Sequence, residues 1–160
     1  GCCLAFREEY PRVLGRKPNF EVVHFAQLLD RYITQGKIRI PKLDAVATYH
    51  DPCELARLGG VVDEPRRVLG SFVGSLIEPE ESGRFGRCCG AGGILKATNS
   101  AMSGELAEKR LTMLNSTGAQ VVVSACPSCD QNLGEASSRF PNSKPVQDLA
   151  ELVAQQMGLM

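Results

Sequence analysis

The sequence predicts an α/β fold in which a mostly parallel sheet lies between helical layers, a three-layer arrangement of Rossmann type. Two apolar runs, residues 45–50 and 120–124, are rich in valine and alanine and are typical of parallel strands buried on both faces. Helical patterns alternate with such runs, which favours a parallel sheet. Each run is followed shortly by a cysteine. Because ligands of these sheets gather beyond the carboxyl ends of the strands, we expect a cysteine site at that edge.

Hydrophobic periodicity and turn residues predict the individual elements. Strands are predicted over residues 20–25, 45–50, 75–78 and 120–124. Helices are predicted over residues 3–10, 25–36, 64–72, 102–116, 127–138 and 146–156.

Proline and glycine set most of these boundaries. Pro11 is expected to stop the first helix, since proline lacks the N–H that a helix interior needs. Gly36 and Gly118 are expected to close the helices that precede them, as glycine often does. Pro65 favours the start of the helix over residues 64–72. Glycine-rich residues 82–93 are predicted to be a loop.

Composition places the chain among ordinary globular domains. Its 160 residues are enough for one core and too few for two ordinary domains. Eighteen basic residues balance eighteen acidic ones, so the chain lacks the basic surplus that nucleic-acid binding requires. No apolar stretch approaches the roughly 20 residues that span a bilayer. We therefore predict no nucleic-acid partner and no direct membrane span.

Five of the seven cysteines are arranged along the chain as one, two and two. The first follows Asp51 and Pro52, a predicted N-cap and first helical residue. The middle pair lies in the glycine-rich loop, where Gly90 lets the backbone approach a cofactor. The last pair begins a helix, and a helix N-terminus stabilises thiolates. The predicted ligands of a single site are Cys53, Cys88, Cys89, Cys126 and Cys129.

Several chemistries remain open for these thiols. An iron-sulfur cluster is held by thiolates and tuned by nearby N–H groups. A structural zinc takes four tetrahedral ligands, which leaves one cysteine over and makes the adjacent Cys88 and Cys89 hard to use together. Cys126 and Cys129 alone resemble a redox-active dithiol. An odd number of cysteines disfavours a secreted disulfide framework and favours a reducing cytoplasm.

Histidine and arginine side chains near the cysteines are further candidates. His50 precedes Cys53 by three residues and is the candidate proton donor, although a histidine after a strand is often a hydrogen-bonded core residue. His24 has the same two interpretations. Arg84 and Arg87 either offset the charge of an anionic cluster or are solvated loop residues.

The cysteine motifs resemble the cysteine-rich CCG domain of heterodisulfide reductases and of glycolate oxidase iron-sulfur subunits. The resemblance rests on Tyr-His-Asp-Pro-Cys at residues 49–53, Cys-Cys-Gly-Ala-Gly-Gly at 88–93 and Cys-Pro-Ser-Cys at 126–129. It implies a non-cubane four-iron cluster bound by the five cysteines, used for disulfide reduction or electron transfer. Residues 54–57 depart from the sequence common after the first cysteine, so the resemblance leaves the substrate open.

The resemblance also implies how the chain is organised. Such subunits usually carry two CCG domains, and Cys2 matches the last cysteine of the first one. Residues 1–11 are therefore expected to end a preceding domain, and residues 12–160 to form the second. Implied partners are that preceding domain, a ferredoxin-like domain or subunit, and a flavoprotein or membrane cytochrome. A cytoplasmic location is expected, peripheral to the membrane through partners, and the isolated fragment is expected to be inactive. Zinc in place of the cluster, and a purified fragment without any cluster, are the alternatives.

Overall fold

Four parallel strands form the centre of the computed structural model, which describes residues 2–160. Their order across the sheet is β2-β1-β3-β4, and every neighbouring pair is parallel. The prediction of a parallel α/β fold is confirmed. The strands are β1 (Leu43–His50), β2 (Val73–Leu76), β3 (Val121–Ser124) and β4 (Val146–Asp148).

Helices connect the strands and cover both faces of the sheet. Two π-helical segments, Ala5–Glu9 and Glu54–Leu58, and a 3-10 turn, Gly83–Phe85, supplement them. Within residues 2–160 every helix is too short or too polar to cross a bilayer. The α-helices are α1 (Cys2–Leu4), α2 (Tyr10–Leu14), α3 (Phe25–Thr34), α4 (Asp63–Phe72), α5 (Leu95–Thr98), α6 (Ser100–Asn115), α7 (Pro127–Ser137) and α8 (Leu149–Gln156).

The sheet separates two hydrophobic clusters. Val121 and Val123 of β3 pack in a cluster with α3, α4 and α8, whereas Val122 packs in a second cluster with α6 and α7. This division follows from the alternation of side chains along a strand. All four residues of β3 are buried. The three-layer arrangement expected from the continuous apolar run is therefore present.

The predicted strand over residues 20–25 is wrong. Residues 21–24 have no regular structure, and α3 begins at Phe25. His24 caps that helix, because its Nδ1 accepts a hydrogen bond from the Ala26 N–H at 3.2 Å. Gln27 Oε1 in turn accepts from the His24 N–H at 3.1 Å, which completes a capping box. The two valines before His24 have strand propensity, but the cap starts a helix.

Several other boundaries differ from the prediction. Pro11 does not stop the first helical stretch, since it lies in the first turn of α2, where its missing N–H costs little. Residues 146–148 form β4 rather than the start of a helix, because Asp148 caps α8 by accepting a hydrogen bond from the Ala150 N–H at 2.8 Å. Strand β2 begins two residues before the predicted range.

Candidate metal centre

A crevice is expected between the carboxyl ends of β1 and β3. These central strands pair in register up to His50 and Ser124, and the Ser124 hydroxyl donates to the His50 carbonyl oxygen at 3.3 Å. The chain leaves β1 towards β2 and leaves β3 towards β4, on opposite sides. Such a switch point is where parallel sheets bind ligands. Cys53 follows β1 and Cys126 follows β3, so each side of the crevice carries a cysteine.

The segment after β1 is held by a buried ion pair. Both carboxylate oxygens of Asp51 accept hydrogen bonds from Arg66 at 2.8 Å, and one also accepts from the Gly83 N–H at 2.7 Å. Asp51 therefore does not cap the following helix as predicted, because the bidentate arginine is a stronger partner. Cys53 still lies in the first helical turn, since the N–H groups of the residues at 55 and 56 bond to the Pro52 carbonyl oxygen.

The segment after β3 follows the prediction closely. Cys126 occupies the N-cap position of α7, Pro127 follows, and Cys129 lies buried in the first turn. The Cys129 thiol and then the N–H groups of Cys129 and Ser128 lower the pKa of Cys126 to about 6, against the opposing effect of burial. Half-buried Cys126 is therefore a thiolate at neutral pH in the metal-free chain.

The middle cysteine pair lies in a loop that neighbouring helices hold in place. Asn132 of α7 donates from Nδ2 to the Cys89 carbonyl oxygen at 2.7 Å. Ser103 of α6 donates from Oγ to the Gly90 carbonyl oxygen at 2.9 Å. Gly90 has a φ of 84°, and a Cβ there would lie 2.6 Å from the Ser103 carbonyl oxygen. Close packing against α6 therefore requires glycine at this position, independently of any contact with a cofactor.

Four of the five cysteine side chains interact in one series, which runs from Cys88 through Cys89 and Cys129 to Cys126. The sulfurs of Cys89 and Cys129 are 3.2 Å apart. The Cys89 thiol and then burial raise the pKa of Cys88. Hydrogen bonds from Cys129 and Cys88 lower the pKa of Cys89. Bonds to Cys126 and Cys89 raise the pKa of Cys129.

These opposite shifts mean that neighbouring sulfurs compete for negative charge. In the metal-free chain some of the thiols keep their protons, because adjacent thiolates repel one another in a buried site. A bound cation removes that restriction and allows each ligand sulfur to be deprotonated. The group of cysteines is therefore suited to a thiophilic metal centre.

His50 lies directly beside the sulfurs. One of its ring nitrogens and the sulfurs of Cys89 and Cys129 all lie within 4.8 Å of one another. Nδ1 accepts a hydrogen bond from Arg110 Nε at 3.1 Å, and Nε2 has no hydrogen-bond partner within residues 2–160. Burial, aided by the charge of Arg110, lowers the pKa of His50. The ring is therefore neutral at pH 7.

Arg110 is a buried cation without a carboxylate partner in the described part of the chain. Its side chain is fully buried, and its hydrogen bonds go to His50 and, from Nη1, to the Glu81 carbonyl oxygen at 2.9 Å. Nη2 has no partner among residues 2–160. A buried charge without an anion costs several kcal/mol, roughly 3–5 where a pair is broken. An anionic, acceptor-rich sulfur centre fits this position, so the residues present fit an iron-sulfur group.

Arg84 and Arg87 lie away from this position. Both are exposed, and Arg87 pairs with Glu81 at 2.8 Å. Arg110, and not Arg84 or Arg87, is the cation beside the cysteine site.

Three polar residues of the site were missed, although each lies at a core-facing position of its helix. Arg110 precedes the buried Leu111 and Leu114 of α6, and Asn132 precedes the buried Leu133 of α7. Ser103 is buried one turn before Ala107. A polar side chain at the spacing of an apolar face is the signal by which each could have been found.

Known relatives of the chain are oxidoreductase subunits. It is 39% identical over 161 residues to a subunit of the dihydromethanophenazine:CoB--CoM heterodisulfide reductase of Methanosarcina barkeri, covering 99% of this chain and 39% of the relative. It is 31% identical over 136 residues to a subunit of the fumarate reductase (CoM/CoB) of Methanothermobacter marburgensis, covering 85% of this chain and 26% of the relative. It is 33% identical over 156 residues to a probable iron-sulfur-binding oxidoreductase of Bacillus subtilis, covering 95% of this chain and 22% of the relative.

The chain thus spans about two fifths of the length of the heterodisulfide reductase relatives it matches. The model of one protein family, the cysteine-rich domain CCG, matches residues 47–134, which is more than half of the chain. That match begins within β1 and ends within α7, so it contains all five cysteines that the sequence analysis predicts as ligands. On this match the chain belongs to the CCG cysteine-rich domain family.

Proposed function

We propose that this chain is the second CCG domain of an iron-sulfur oxidoreductase subunit of heterodisulfide reductase type. One observation carries the proposal: four cysteines interact in a single series beside a buried arginine that lacks a carboxylate partner among the described residues. Cys53, after the adjacent strand β1, is the proposed fifth ligand. The identities with relatives named as heterodisulfide reductase subunits support the same assignment. The proposed ligands of a non-cubane four-iron cluster are Cys53, Cys88, Cys89, Cys126 and Cys129.

The number and placement of the sulfurs favour a cluster over zinc. A tetrahedral zinc uses four ligands and leaves the fifth cysteine without a role. Cys88 and Cys89 are adjacent, and the hydrogen bonds from Asn132 and Ser103 hold the loop that carries them. A fixed adjacent pair suits a larger centre with several metal ions better than it suits one small ion.

Each part of the chain has a separate task in the proposed reaction. When bound, the cluster supplies one-electron steps for cleaving a disulfide or for relaying electrons. Cys126, deprotonated at neutral pH and half-buried, borders a cavity of about 510 Å³ that is also lined by Arg7 and His24. This cavity gives a small molecule or a partner access to the sulfur site. His50 was predicted to be the proton donor, but a neutral ring bonded to Arg110 through Nδ1 favours a hydrogen-bonding role beside the sulfurs.

The proposed assembly extends beyond this chain. A border at residue 11 would fall within α2, so we place the end of the preceding domain at Gly15, whose φ of 65° ends that helix. Cys2 and Cys3 line the same cavity as Cys126, which supports an arrangement in which the preceding domain contributes to the site. The proposed partners are that domain, a ferredoxin-like domain or subunit, and a flavoprotein or membrane cytochrome, all in the cytoplasm or at its membrane surface.

Anaerobic reconstitution with iron and sulfide tests the proposal. The chain should retain the iron and sulfide of one cluster and develop the broad visible absorption of an iron-sulfur centre. Cys89→Ser should lose this absorption, because the buried sulfur contacts both of its neighbours in the series. Cys2→Ser is the matched control and should retain the cluster, since exposed Cys2 lines the cavity but is not one of the five proposed ligands. Retention of zinc without iron, undiminished in Cys89→Ser, would instead show a structural zinc site.

A further inference from the structure

We infer that His50 is a hydrogen-bond donor to the sulfurs of the metal centre and not one of its ligands, because Arg110 determines which ring nitrogen carries the proton. This inference rests on the proposed function for the presence of a metal centre. His50 is the one non-cysteine side chain grouped with the sulfurs of Cys89 and Cys129 in residues 2–160, so both roles are geometrically open to it.

The hydrogen bond between Arg110 and His50 decides the tautomer. Arg110 Nε lies 3.1 Å from His50 Nδ1 in the buried interior. A guanidinium group has only donors and stays charged in proteins. Nδ1 must therefore present its lone pair to Arg110. In a doubly protonated ring the Nδ1–H would point at the Nε–H of Arg110, and the two donors would repel each other. The ring therefore carries a single proton, on Nε2.

The remaining nitrogen then has no lone pair for a metal. Histidines that bind metals usually donate their other N–H to a carbonyl or carboxylate, which makes the ligating nitrogen more basic. His50 has the reverse arrangement, with a cation at the other nitrogen. Nε2 could bind a metal only after losing its proton, and Arg110 already occupies the alternative site for that proton.

The Nε2–H group has only the nearby cysteine sulfurs as acceptors within residues 2–160. Nε2 is buried and has no hydrogen-bond partner within residues 2–160. The neighbouring groups that can accept are the sulfurs at Cys89 and Cys129. An N–H directed at a cluster sulfur stabilises the more negative, reduced state and raises the reduction potential. Arg110 is then a positioning residue that acts through His50.

Spectroscopy of the reconstituted full chain tests the donor role. We expect His50→Gln and His50→Leu to retain the iron content of the wild type, because cysteines supply the ligands. Pulsed EPR of the paramagnetic cluster with 15N-labelled histidine should show weak coupling typical of a hydrogen bond, and this coupling should vanish in His50→Leu. The reduction potential should fall in His50→Leu and fall less in His50→Gln, which keeps an N–H donor. Strong direct 15N coupling, together with loss of iron in both variants, would overturn the inference.

A second measurement needs no metal. The chain contains two histidines, and His24 serves as the internal reference because its Nδ1 accepts from the Ala26 N–H. In 15N NMR of the metal-free chain, His50 should have its proton on Nε2. Arg110→Gln should shift it towards a mixture of tautomers. A proton on Nδ1 in the metal-free wild type would overturn the inference, whether or not the reconstituted chain binds a cluster. Failure of the reconstituted chain to bind iron would overturn the proposed function but leave the tautomer result unaffected.

Discussion

Two arginines, Arg66 partly buried and Arg110 fully buried, bind adjacent residues of the chain in opposite ways. Arg66 of α4 pairs with Asp51 and Glu78, and its guanidinium lies 5.4 Å from the centre of the Tyr49 ring. Arg110 of α6 binds the neighbouring His50, which is uncharged. The first cation is neutralised within the fold, whereas the charge of the second remains available to the sulfur site.

The alternation of side chains at the end of β1 separates the two arginines. Tyr49 packs in the cluster covered by α4, and His50 faces the layer that contains α6. Arg66 therefore approaches from one face of the sheet and Arg110 from the other. Burial alone does not reveal the role of either charge. The hydrogen-bond partner of each arginine reveals its role. A carboxylate partner indicates a structural role, and a neutral acceptor beside the sulfurs indicates a role at the site.

The largest effect is expected from breaking the paired cation. Arg66→Met leaves the carboxylate of Asp51, which is 1% exposed, without its cation. We expect a loss of about 3–5 kcal/mol in the free energy of unfolding, measured by denaturant titration of the metal-free chain. Adding Asp51→Asn should restore part of the loss because it removes the unpaired charge. A loss below about 1 kcal/mol would show that the pair is not structural.

Removing the unpaired cation should cost less in the same metal-free chain. Arg110→Met deletes hydrogen bonds to His50 and to the Glu81 carbonyl oxygen, but it also removes a buried charge that lacks a carboxylate partner among the described residues. We expect a net loss of about 1–2 kcal/mol by denaturant titration. A loss as large as that of Arg66→Met would mean that the metal-free fold already holds a counter-charge for Arg110.

The Cys126 thiolate, which carries negative charge at the site, can be tested in the wild-type chain by its rate of alkylation. The pKa of Cys126 is lowered to about 6, so its alkylation rate in the metal-free chain should be constant above that pH and fall about tenfold for each pH unit below it. Because the pKa is lower in the folded state, the thiolate stabilises the fold fully above about pH 9 and the contribution is lost as pH falls through 6. Mass spectrometry of the alkylated chain measures the midpoint. A midpoint near the ordinary thiol value of 9 would contradict a thiolate at this helix start.

The smallest effect is expected at an exposed arginine of similar geometry. Arg67 makes two hydrogen bonds to Asp30, at 2.9 and 2.6 Å, but its side chain is largely in solvent. Arg67→Gln should change the free energy of unfolding by about 0.2–1 kcal/mol, and less at high salt. This variant is the control for both buried arginines. An effect comparable to that of Arg66→Met would remove burial as the explanation of the difference.

The sequence predicted the elements in which periodicity and turn residues agree. Strand β3 and helices α6 and α7 have long apolar patterns with clear ends, and their positions are confirmed. The parallel sheet then brings the segments after β1 and β3 to one edge. The strand over residues 20–25 was wrong because the cap at His24 outweighs the propensity of two valines.

The supports of the site were less predictable than the cysteines. The bonds of Asn132 and Ser103 to the loop join residues far apart in the chain, and no local pattern indicates them. Asp51 pairs with Arg66 and does not cap the following helix as predicted. This contact was also not predictable, because Arg66 belongs to a later helix. Arg110, Ser103 and Asn132 could be recognised in the sequence as polar residues on the apolar sides of α6 and α7, but the groups that they bind could not.

The pairing of β1 with β3 has a consequence for the order in which the protein folds. Residues 47–50 lie beside residues 121–124, and Gln120 adds bonds of 2.7 Å to Val46 through both its N–H and its side-chain oxygen. Contacts between such distant segments form slowly, because a long loop must close before they stabilise the chain. Cys53 and Cys126 reach the same edge of the sheet only after that closure. We therefore expect metal insertion to follow folding of the sheet, so that the nascent chain passes through a stage in which its thiols are open to oxidation and to competing metals.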